Sequence, residues 1–239
     1  MNATTRSRII VPLDVSSGSE ALAIVERLKG RVGMFKVGLQ LFCAEGPDIV
    51  RRVVAEGQRV FLDLKLHDIP NTVAHAAAEA RRLGVAMMDV HLTGGEAMLR
   101  TTVEALASPP GMSSGSRPLL LGITVLTSLD RGDLEAVGFS RDLPAQVVDL
   151  ARLGQRAGLD GVVASPHEIA AIKAACGGRF LVVTPGIRPS GSGTQDQKRF
   201  MTPAQAFAAG ADYLVIGRPI LEAPDPAAAV EALLQDIPA

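Results

Sequence analysis

The chain contains 239 residues, of which 47% are hydrophobic and 21% are charged, and its formal net charge is −1 at pH 7. This composition is typical of a folded globular protein with a sizeable core and excludes an intrinsically disordered chain. A net charge this close to zero gives no bulk electrostatic reason to expect nucleic acid or an acidic membrane as a partner.

Compartment and redox state are indicated by what the sequence lacks. No apolar run reaches the length that a membrane span needs, and residues 1–8 lack the apolar segment of a signal peptide. The two cysteines, Cys43 and Cys176, cannot build a disulfide framework and are not spaced as metal ligands. We therefore expect a cytoplasmic protein with reduced thiols.

Short apolar runs alternate along the chain with longer stretches rich in Ala, Leu, Glu and Arg, which are good helix formers. The predicted strands are, in chain order, Arg8–Val15, Met34–Leu39, Arg59–Leu66, Ala86–His91, Leu119–Leu126, Gly161–Ala164, Arg179–Thr184 and Tyr213–Ile216. The predicted helices, one after each strand, are Ser19–Lys29, Pro47–Glu56, Thr72–Leu83, Glu96–Leu106, Pro144–Ala157, Pro166–Ala175, Thr202–Ala209 and Pro226–Gln235.

Eight successive βα units over this length predict one closed parallel barrel, a single (β/α)8 TIM-barrel domain covering residues 1–239. The alternative is an open doubly wound sheet, but the G-x-G-x-x-G turn that such sheets carry for dinucleotides is absent after the first strand. The Pro-, Gly- and Ser-rich stretch from Ser108 to Pro118 is compatible with a domain linker. Since it lies between a predicted helix and the next strand, we interpret it as a solvated loop.

The third predicted strand carries charges in a segment that is otherwise apolar enough to be buried. Alternate residues of a strand face the same side, so this strand has one face of leucines and one face with Asp63, Lys65 and His67. Buried charges are costly unless they are paired. A carboxylate beside an ammonium, with Asp68 just past the strand end, therefore indicates a functional site. The alternative is a solvated ion pair at a strand end.

Other predicted strands also end in residues suited to ligand binding, at the face where the active sites of such barrels lie. These residues are Asp14, Lys36, Asp89, His91, Thr127, Ser128, Arg188, Gly217 and Arg218. Lys36 and Lys65 are two of only five lysines, and both lie within strands at positions predicted to face inward. That placement is unusual for a side chain that is normally exposed, although Lys36 alone is also compatible with an amphipathic edge position.

Two runs of residues resemble a known family. The run D-x-K-x-x-D at Asp63, Lys65 and Asp68, continued by I-P-N-T ending at Thr72, resembles the signature of the orotidine 5′-phosphate decarboxylase family. The shorter run is shared by phosphosugar decarboxylases and aldolases of one suprafamily, whereas the longer run is much more specific. The order and spacing of the motifs are similar to the bacterial branch of the family over essentially the whole chain.

The resemblance implies an enzyme that converts orotidine 5′-phosphate (OMP) to UMP and CO2 without a cofactor or metal. Lys36, Asp63, Lys65 and Asp68 resemble the family's alternating Lys-Asp-Lys-Asp array. Lys65 would stabilise and protonate the carbanion left on the pyrimidine ring, and Asp63 would face the departing carboxylate. In the family the second aspartate, here Asp68, comes from the partner subunit, which implies a homodimer with shared sites.

The resemblance also implies contacts to the base and the ribose of the substrate. Asp14 matches an acceptor for the ribose hydroxyls, Thr127 matches a base or ribose contact, and Thr72 completes the I-P-N-T run. Lys36 and Asp63 are expected to contact the substrate as well as to hold the charged array.

The phosphate is expected at the last two strand ends. Arg218, after Gly217, is at the usual position of a barrel phosphate site, and its guanidinium can bind phosphate through two hydrogen bonds. Arg188 begins a Gly-, Ser- and Gln-rich stretch that is typical of a mobile lid. Gln197, in a D-Q pair, matches the family's phosphate-binding glutamine, with Gln195 as a nearby alternative.

Four further residues have no assigned chemical role. His67 fits the signature without a required function, and we interpret His91 as a hydrogen-bonded core histidine. Asp89 stands where the family favours a neutral residue, and Leu92 stands where it favours a small one. These two departures concern local packing and not the reaction.

Two alternatives to OMP decarboxylation remain. One is a metal-dependent relative, such as a 3-keto-gulonate-6-phosphate decarboxylase or a hexulose-phosphate synthase, which shares D-x-K-x-x-D and stabilises an enediolate with magnesium. The other is a barrel that binds phosphorylated ligands without catalysis. The I-P-N-T run and Lys36 favour OMP over the first alternative, and the costly cluster of charges argues against the second.

Overall fold

The computed structural model describes residues 3–107, 116–189 and 201–237, and within these ranges eight parallel strands form a closed barrel. Each strand pairs with its neighbours in sequence, and the last strand pairs with the first to close the ring. The strands are β1 (Ile9–Pro12), β2 (Met34–Gly38), β3 (Val60–Leu66), β4 (Met87–His91), β5 (Leu119–Ile123), β6 (Gly161–Val163), β7 (Leu181–Thr184) and β8 (Tyr213–Val215). The predicted (β/α)8 barrel is confirmed, whereas the assignment of all 239 residues to one domain stays a prediction.

Helices connect the strands around the barrel. They are α1 (Ala3–Arg6), α2 (Gly18–Leu28), α3 (Leu39–Glu45), α4 (Pro47–Ala55), α5 (Pro70–Arg82), α6 (Gly95–Ala107), α7 (Arg131–Ala136), α8 (Leu143–Ala157), α9 (Ile169–Cys176), α10 (Pro203–Ala208), α11 (Arg218–Leu221) and α12 (Pro226–Gln235). Two 3-10 turns, Leu92–Gly94 and Pro166–Glu168, precede α6 and α9. Within the described ranges, no helix is long and apolar enough to cross a membrane.

Short helices and strand ends are the main departures from the predicted elements. Leu39 begins α3 instead of ending a strand, and α7 forms in the β5–α8 connection behind a capping box of Asp130 and Asp133. β1 ends at Pro12 and β5 ends at Ile123, before their predicted ends. A barrel strand ends where its neighbours stop pairing, and the apolar pattern of one segment does not contain that information.

Apolar side chains on the two faces of the barrel strands form separate packing layers. The outward-facing side chains, including the leucines of β3, pack with the helices in one large cluster. The inward-facing side chains form a smaller buried cluster of Ile10, Met34, Phe61, Met87, Leu121 and Val183. Because side chains alternate, the residues two positions further along these strands lie above an apolar floor at the carboxyl end of the barrel.

β3 contains an irregularity that its alternating sequence does not reveal. Its pairing with β4 is regular up to Leu62↔Met88 and resumes at Leu66↔Val90. Four residue steps on β3 therefore match two on β4, and the extra residues form a bulge. Lys65 lies in this bulge with a φ of 50°, and it is the only non-glycine residue with a positive φ in the described ranges. This conformation is strained for a residue with a Cβ atom and requires support from its surroundings.

Leu92 is fully buried and occupies space that two glycines leave open. A Cβ atom on Gly122 of β5 would lie 2.4 Å from Leu92 Cδ2. A Cβ atom on Gly154 of α8 would lie 2.9 Å from the same atom. The local packing therefore accommodates the large residue at position 92.

Candidate active site

Charged side chains from three neighbouring strands meet at the carboxyl end of the barrel. Lys36 lies in β2, Asp63 and Lys65 lie in β3, and Asp14 follows β1. Lys36 and Asp63 are each two positions beyond an inward-facing apolar residue of their strand, and Lys65 and Asp14 lie near the carboxyl ends of β3 and β1. The four charges therefore collect above the apolar floor. The strands thus bring together residues that are up to 51 positions apart in the sequence.

The Asp63 carboxylate lies between two ammonium groups. Lys36 Nζ is 3.1 Å from Asp63 Oδ2, and Lys65 Nζ contacts the other oxygen, Oδ1. Lys36 Nζ is also 3.2 Å from Asp14 Oδ1 and so bridges the two aspartates. Lys36 and Asp63 are only 9% and 8% exposed, whereas the side chain of Asp14 is 57% exposed. The result is an alternating Asp–Lys–Asp–Lys chain that runs from the surface into the barrel.

The pKa values of the buried members reflect this pairing. Burial alone would raise the pKa of Asp63, but a hydrogen bond with Asp89 and the charges of Lys36 and Lys65 outweigh it and lower the pKa to about 2. Burial would lower the pKa of Lys36, but Asp63 and Asp14 outweigh it and raise the pKa. Asp63 and Lys36 therefore remain charged at neutral pH.

Asp89, on the inward face of β4, contacts the backbone of the bulge. It is 1% exposed, and its Oδ1 accepts a hydrogen bond of 2.8 Å from the backbone N–H of Lys65. Burial, followed by the neighbouring charge of Asp63, raises the pKa of Asp89 well above its usual value. Asp89 is thus the residue that supports the strained backbone of Lys65.

An apolar cavity of about 200 Å³ lies directly over the charged cluster. Its polar and charged lining residues are Lys36, Asp63, Lys65 and Thr127. Its apolar walls come from Phe61, Ile123, Val125, Leu126, Val163, Ala164, Pro185 and Val215. A flat, weakly polar ring would fit this environment, with one edge against the charges.

A second cavity, of about 290 Å³, adjoins the first and has a different character. Lys36, Pro185 and Val215 line both cavities, so the two form one continuous cleft. The lining of the second cavity adds Pro12, Asp14, Gly186, Ile187, Arg188, Gly217, Arg218 and Pro219. Two guanidinium groups at the ends of β7 and β8 make this part of the cleft suited to an anion such as phosphate.

Glycine at position 217 is required by the close approach of two strands. A Cβ atom there would lie 2.9 Å from Cγ of Pro12. On the other side of the cleft, Ile187 forms a parallel bridge with Met201, and the backbone N–H of Arg188 donates to the Met201 carbonyl at 3.1 Å. Arg188 itself is 8% exposed. These contacts fix the backbone from which Arg188 and Arg218 enter the cavity.

Most of the predicted site residues converge on this cleft. The residues that line it are Asp14, Lys36, Asp63, Lys65, Thr127, Arg188, Gly217 and Arg218. Asp68 and Thr72 are exposed and line neither cavity. The proposed phosphate ligand Gln197 and its alternative Gln195 lie outside the described residues.

The two histidines near the bulge form a pair. The ring centroids of His67 and His91 are 5.4 Å apart, with a tilt of 32° between the planes. Burial, followed by the charges of His67 and Lys65, lowers the pKa of His91. The His91 imidazole is therefore neutral at pH 7 and does not add a third positive charge beside Lys65.

Sequence reasoning missed the apolar walls and the supporting role of Asp89. The wall residues belong to ordinary apolar runs, so their type alone does not distinguish a cavity wall from a packed core. The available signal for Asp89 was a carboxylate in the middle of an apolar strand next to β3. Its contact with Lys65 could not be predicted, because the register that brings the two residues together depends on the bulge.

The fold and the cleft define this chain as a (β/α)8 barrel with a charged small-molecule site at the carboxyl ends of its strands. Comparison with known proteins makes the assignment specific. Residues 7–233 match the model of the orotidine 5′-phosphate decarboxylase / HUMPS family. The chain therefore belongs to this family.

Named relatives and solved structures agree with this assignment. The chain is 51% identical to orotidine 5′-phosphate decarboxylase from Syntrophotalea carbinolica, covering 100% of this chain and 98% of that protein. It is 52% identical to the protein of that name from Moorella thermoacetica, covering 97% and 92%. The crystal structure of orotidine 5′-phosphate decarboxylase from Lactobacillus acidophilus is 36% identical, with a TM-score of 0.85 and coverage of 97% and 99%.

Proposed function

We propose that this protein decarboxylates OMP to UMP and CO2, a step of de novo pyrimidine biosynthesis, without a cofactor. The observation that carries the proposal is the buried cluster of Lys36, Asp63 and Lys65 beneath an apolar cavity. The named activity of relatives that are about half identical over nearly their full length supports it. The cytoplasmic location expected from the sequence stays a prediction.

The two cavities fit the two ends of the substrate. The pyrimidine ring would occupy the apolar cavity, with its carboxylate toward Asp63 and Lys65 and with Thr127 at its rim. The ribose would lie at the junction of the cavities, where the exposed carboxylate of Asp14 can accept its hydroxyl hydrogens. The phosphate would lie between Arg188 and Arg218.

Lys65 carries the chemical step in this proposal. When the bond between the ring and the carboxylate breaks, CO2 leaves and the bonding electron pair stays on the ring carbon. The Lys65 ammonium stabilises that charge and then transfers a proton from Nζ to the carbon, giving UMP and a neutral amine that solvent protonates again. The bulge presents this ammonium at the top of β3, directly beside Asp63.

Asp63 and Lys36 act on the reaction through charge and position. The substrate carboxylate would enter next to the Asp63 carboxylate, and the repulsion between them is relieved as CO2 departs. Before the substrate binds, the pKa of Asp63 is lowered to about 2, so its carboxylate is charged when the substrate enters. Lys36 holds both Asp14 and Asp63 and so links the ribose end of the site to the reacting end.

Binding energy from the phosphate is a further part of the mechanism. Enzymes lower reaction barriers by about 8–23 kcal/mol, and a few charges near the reacting bond are insufficient for the upper part of that range. Contacts to a remote group of the substrate can be used to stabilise the transition state. Arg188 and Arg218 supply such contacts here, and the resemblance implies Gln197 as a further one.

We also propose a homodimer in which Asp68 completes the site of the partner subunit. Asp68 is exposed on the turn between β3 and α5, where its Oδ1 accepts a 2.6 Å hydrogen bond from the N–H of Ile69. Within the described residues it forms no ion pair with Lys65 of its own chain. The adjacent Ile69 is 65% exposed and Leu39 is 53% exposed, as expected if this rim is covered by a second subunit. Thr72, one turn further along the chain, would enter the partner's site with Asp68.

The first prediction tests the reaction class. Purified protein should consume OMP, followed by its ultraviolet absorbance, at a rate that excess EDTA does not change, because an ammonium and not a Lewis acid stabilises the carbanion. Activity that disappears with EDTA and returns with magnesium would assign the chain to the enediolate chemistry of its relatives. Tight binding of UMP without turnover of OMP would indicate a binding protein.

The second prediction concerns Lys65. Lys65→Ala removes both the proton donor and the charge that faces the carbanion, so kcat for OMP should fall by more than about 10⁴-fold, beyond the usual range for general acid catalysis alone. Lys173→Ala is the matched control, since Lys173 pairs with Asp212 at 2.7 Å at the opposite end of the barrel. It should leave kcat near the wild-type value. A Lys65→Ala enzyme with about a tenth of wild-type turnover would show that another group is the acid.

The third prediction concerns the phosphate. Arg218→Ala should lower kcat/KM for OMP far more than for orotidine, which lacks the phosphate, because only OMP uses this contact. Arg117→Ala, which removes an arginine paired with Asp160 at the other end of the barrel, should affect neither substrate. Equal losses on OMP and orotidine would show that Arg218 acts on the fold or on the reacting centre and not on the phosphate.

The fourth prediction tests the shared site. Lys65→Ala and Asp68→Ala homodimers should each be nearly inactive, but mixing them with subunit exchange should restore about a quarter of wild-type activity. Half of the dimers are then mixed, and one of the two sites in each mixed dimer has both residues intact.

A reciprocal mixture is the control for this fourth experiment. Wild-type protein is exchanged with an equal amount of chain carrying both Lys65→Ala and Asp68→Ala. If the site is shared, mixed dimers have no intact site, and activity should fall to about half of its value before exchange. If both residues serve one chain, activity stays constant, and the first mixture recovers nothing. Mass-tagged subunits verify the exchange in both cases.

A further inference from the structure

The pair formed by Asp63 and Asp89 is the least expected contact of the candidate site. The two aspartates occupy neighbouring inward-facing positions on β3 and β4, since Leu62 and Met88, the residues just before them, are paired in the sheet. Each of them also shifts the pKa of the other. Asp89 is 1% exposed and Asp63 is 8% exposed, so bulk solvent screens their charges only weakly. Two ionised carboxylates side by side in a buried site repel each other, which favours protonation of one of them. A proton on one of the two would remove this repulsion and supply a hydrogen-bond donor.

The surroundings decide which carboxyl is protonated. Asp63 contacts the ammonium groups of both Lys36 and Lys65, which stabilise a negative charge. Asp89 has one backbone N–H on its Oδ1, whereas its buried Oδ2 has no conventional donor among the described residues. A proton on Asp89 Oδ2 would satisfy that atom and also give Asp63 a third donor.

We propose that Asp89 is a neutral carboxylic acid that donates a hydrogen bond to Asp63 and accepts one from the Lys65 backbone, and that it is a positioning residue for both side chains. Oδ1 of Asp89 accepts the hydrogen bond from the Lys65 N–H, which the bulge leaves outside the β3–β4 pairing, and Oδ2 carries the proton. The cluster then keeps balanced charges, with two lysines facing Asp14 and Asp63.

Other charged groups near Asp89 do not reverse this assignment. On the barrel side, Asp63 and Lys65 face it from β3, His91 follows on its own strand, and β5 contributes no titratable side chain. Asp89 also borders an outer cavity between β3 and helices α4 and α5, whose charged lining residues are Arg51, Glu79 and Arg82. After burial itself, the charge of Asp63 has the largest effect on the pKa of Asp89, and it raises that pKa.

Asp89 affects the reaction by holding the backbone of Lys65 in place. Lys65 can hold its ammonium beside Asp63 only while its backbone keeps the strained φ of 50°. The amide hydrogen bond from Lys65 to Asp89 opposes relaxation of that strain. Ionisation of Asp89 would place a second negative charge against Asp63 and disrupt the pair. The positioning role rests on the proposed decarboxylation, whereas the protonation state of Asp89 does not.

The protonation state can be measured on the wild-type protein without any activity assay. Side-chain carboxyl carbons are labelled with ¹³C, and those of Asp63 and Asp89 are assigned through their own backbone resonances. Between about pH 5 and pH 8, where folded proteins are generally most stable, Asp89 should keep the chemical shift of a neutral acid and Asp63 that of a carboxylate. A carboxylate shift for Asp89 throughout this range would overturn the proposal, whatever the protein catalyses.

Two substitutions test the positioning role. Asp89→Asn keeps one acceptor for Lys65 and one donor for Asp63, so kcat for OMP should stay close to wild type, and an alkaline loss of activity due to Asp89 should be absent from its pH profile. Asp89→Ala removes both hydrogen bonds, so kcat should fall about 100-fold with little change in KM, as expected for misplacement of a reacting group.

The control is Asp212→Asn, since Asp212, like Asp89, accepts a hydrogen bond from a backbone N–H, here that of Val182 at 2.7 Å. Asp212 lies at the far end of the barrel, where it pairs with Lys173. It should change stability without changing the pH profile. If Asp89→Asn lowers kcat as much as Asp89→Ala does, the positioning role is wrong. If Asp89→Ala does not fold, Asp89→Asn and the ¹³C measurement still decide the matter. If no variant and no wild-type sample turns over OMP, the proposed function fails while the ¹³C result stands.

Discussion

The arrangement of this site depends on one buried carboxylate, that of Asp63. A negative charge with 8% exposure is costly in a protein interior, and here it is compensated by two ammonium groups. Each partner of Asp63 is also constrained. Lys36 contacts both Asp14 and Asp63, and Lys65 departs from regular strand geometry where it contacts Asp63. Removing Asp63 would take away the carboxylate that pairs with Lys65, and removing either lysine would leave Asp63 with one ammonium partner instead of two, so the cluster acts as one unit.

The barrel supports the site with packed apolar side chains that lie apart from the charged groups. Inward-facing residues of six strands fill the lower part of the barrel, and helices cover the outside, so the strand ends are held from two directions. The charged groups then require little reorganisation when a substrate enters, which is how preorganised electrostatics accelerate a reaction. The same strands fix the distance between the charged part and the arginine-lined part of the cleft, since Lys36 and Val215 line both parts.

Much of this could be predicted from the sequence, for identifiable reasons. Strand and helix periodicity is local information, so the eight βα units and the outward leucine face of β3 follow from it. The signature around Asp63 and Lys65 is also local, and together with the polar residues at other strand ends it located the charged residues that line the cleft. The bulge at Lys65 is not local, because it depends on how β3 and β4 are paired. For the same reason the sequence marked Asp89 as a departure from the family pattern but gave no role for it, although a protonated Asp89 is itself a neutral residue.

The packing around Leu92 has a consequence for how this sequence can change over time. Gly122 and Gly154 leave the space that the Leu92 side chain fills. A substitution of either glycine by alanine therefore requires that Leu92 is first replaced by a smaller residue. In the reverse order, overpacking would cost about 1–3 kcal/mol, a large fraction of the stability of an ordinary domain. Shrinking Leu92 while the glycines remain would instead leave a cavity, which is also destabilising. The three positions therefore form an epistatic group, in which the path between two acceptable combinations passes through less stable intermediates.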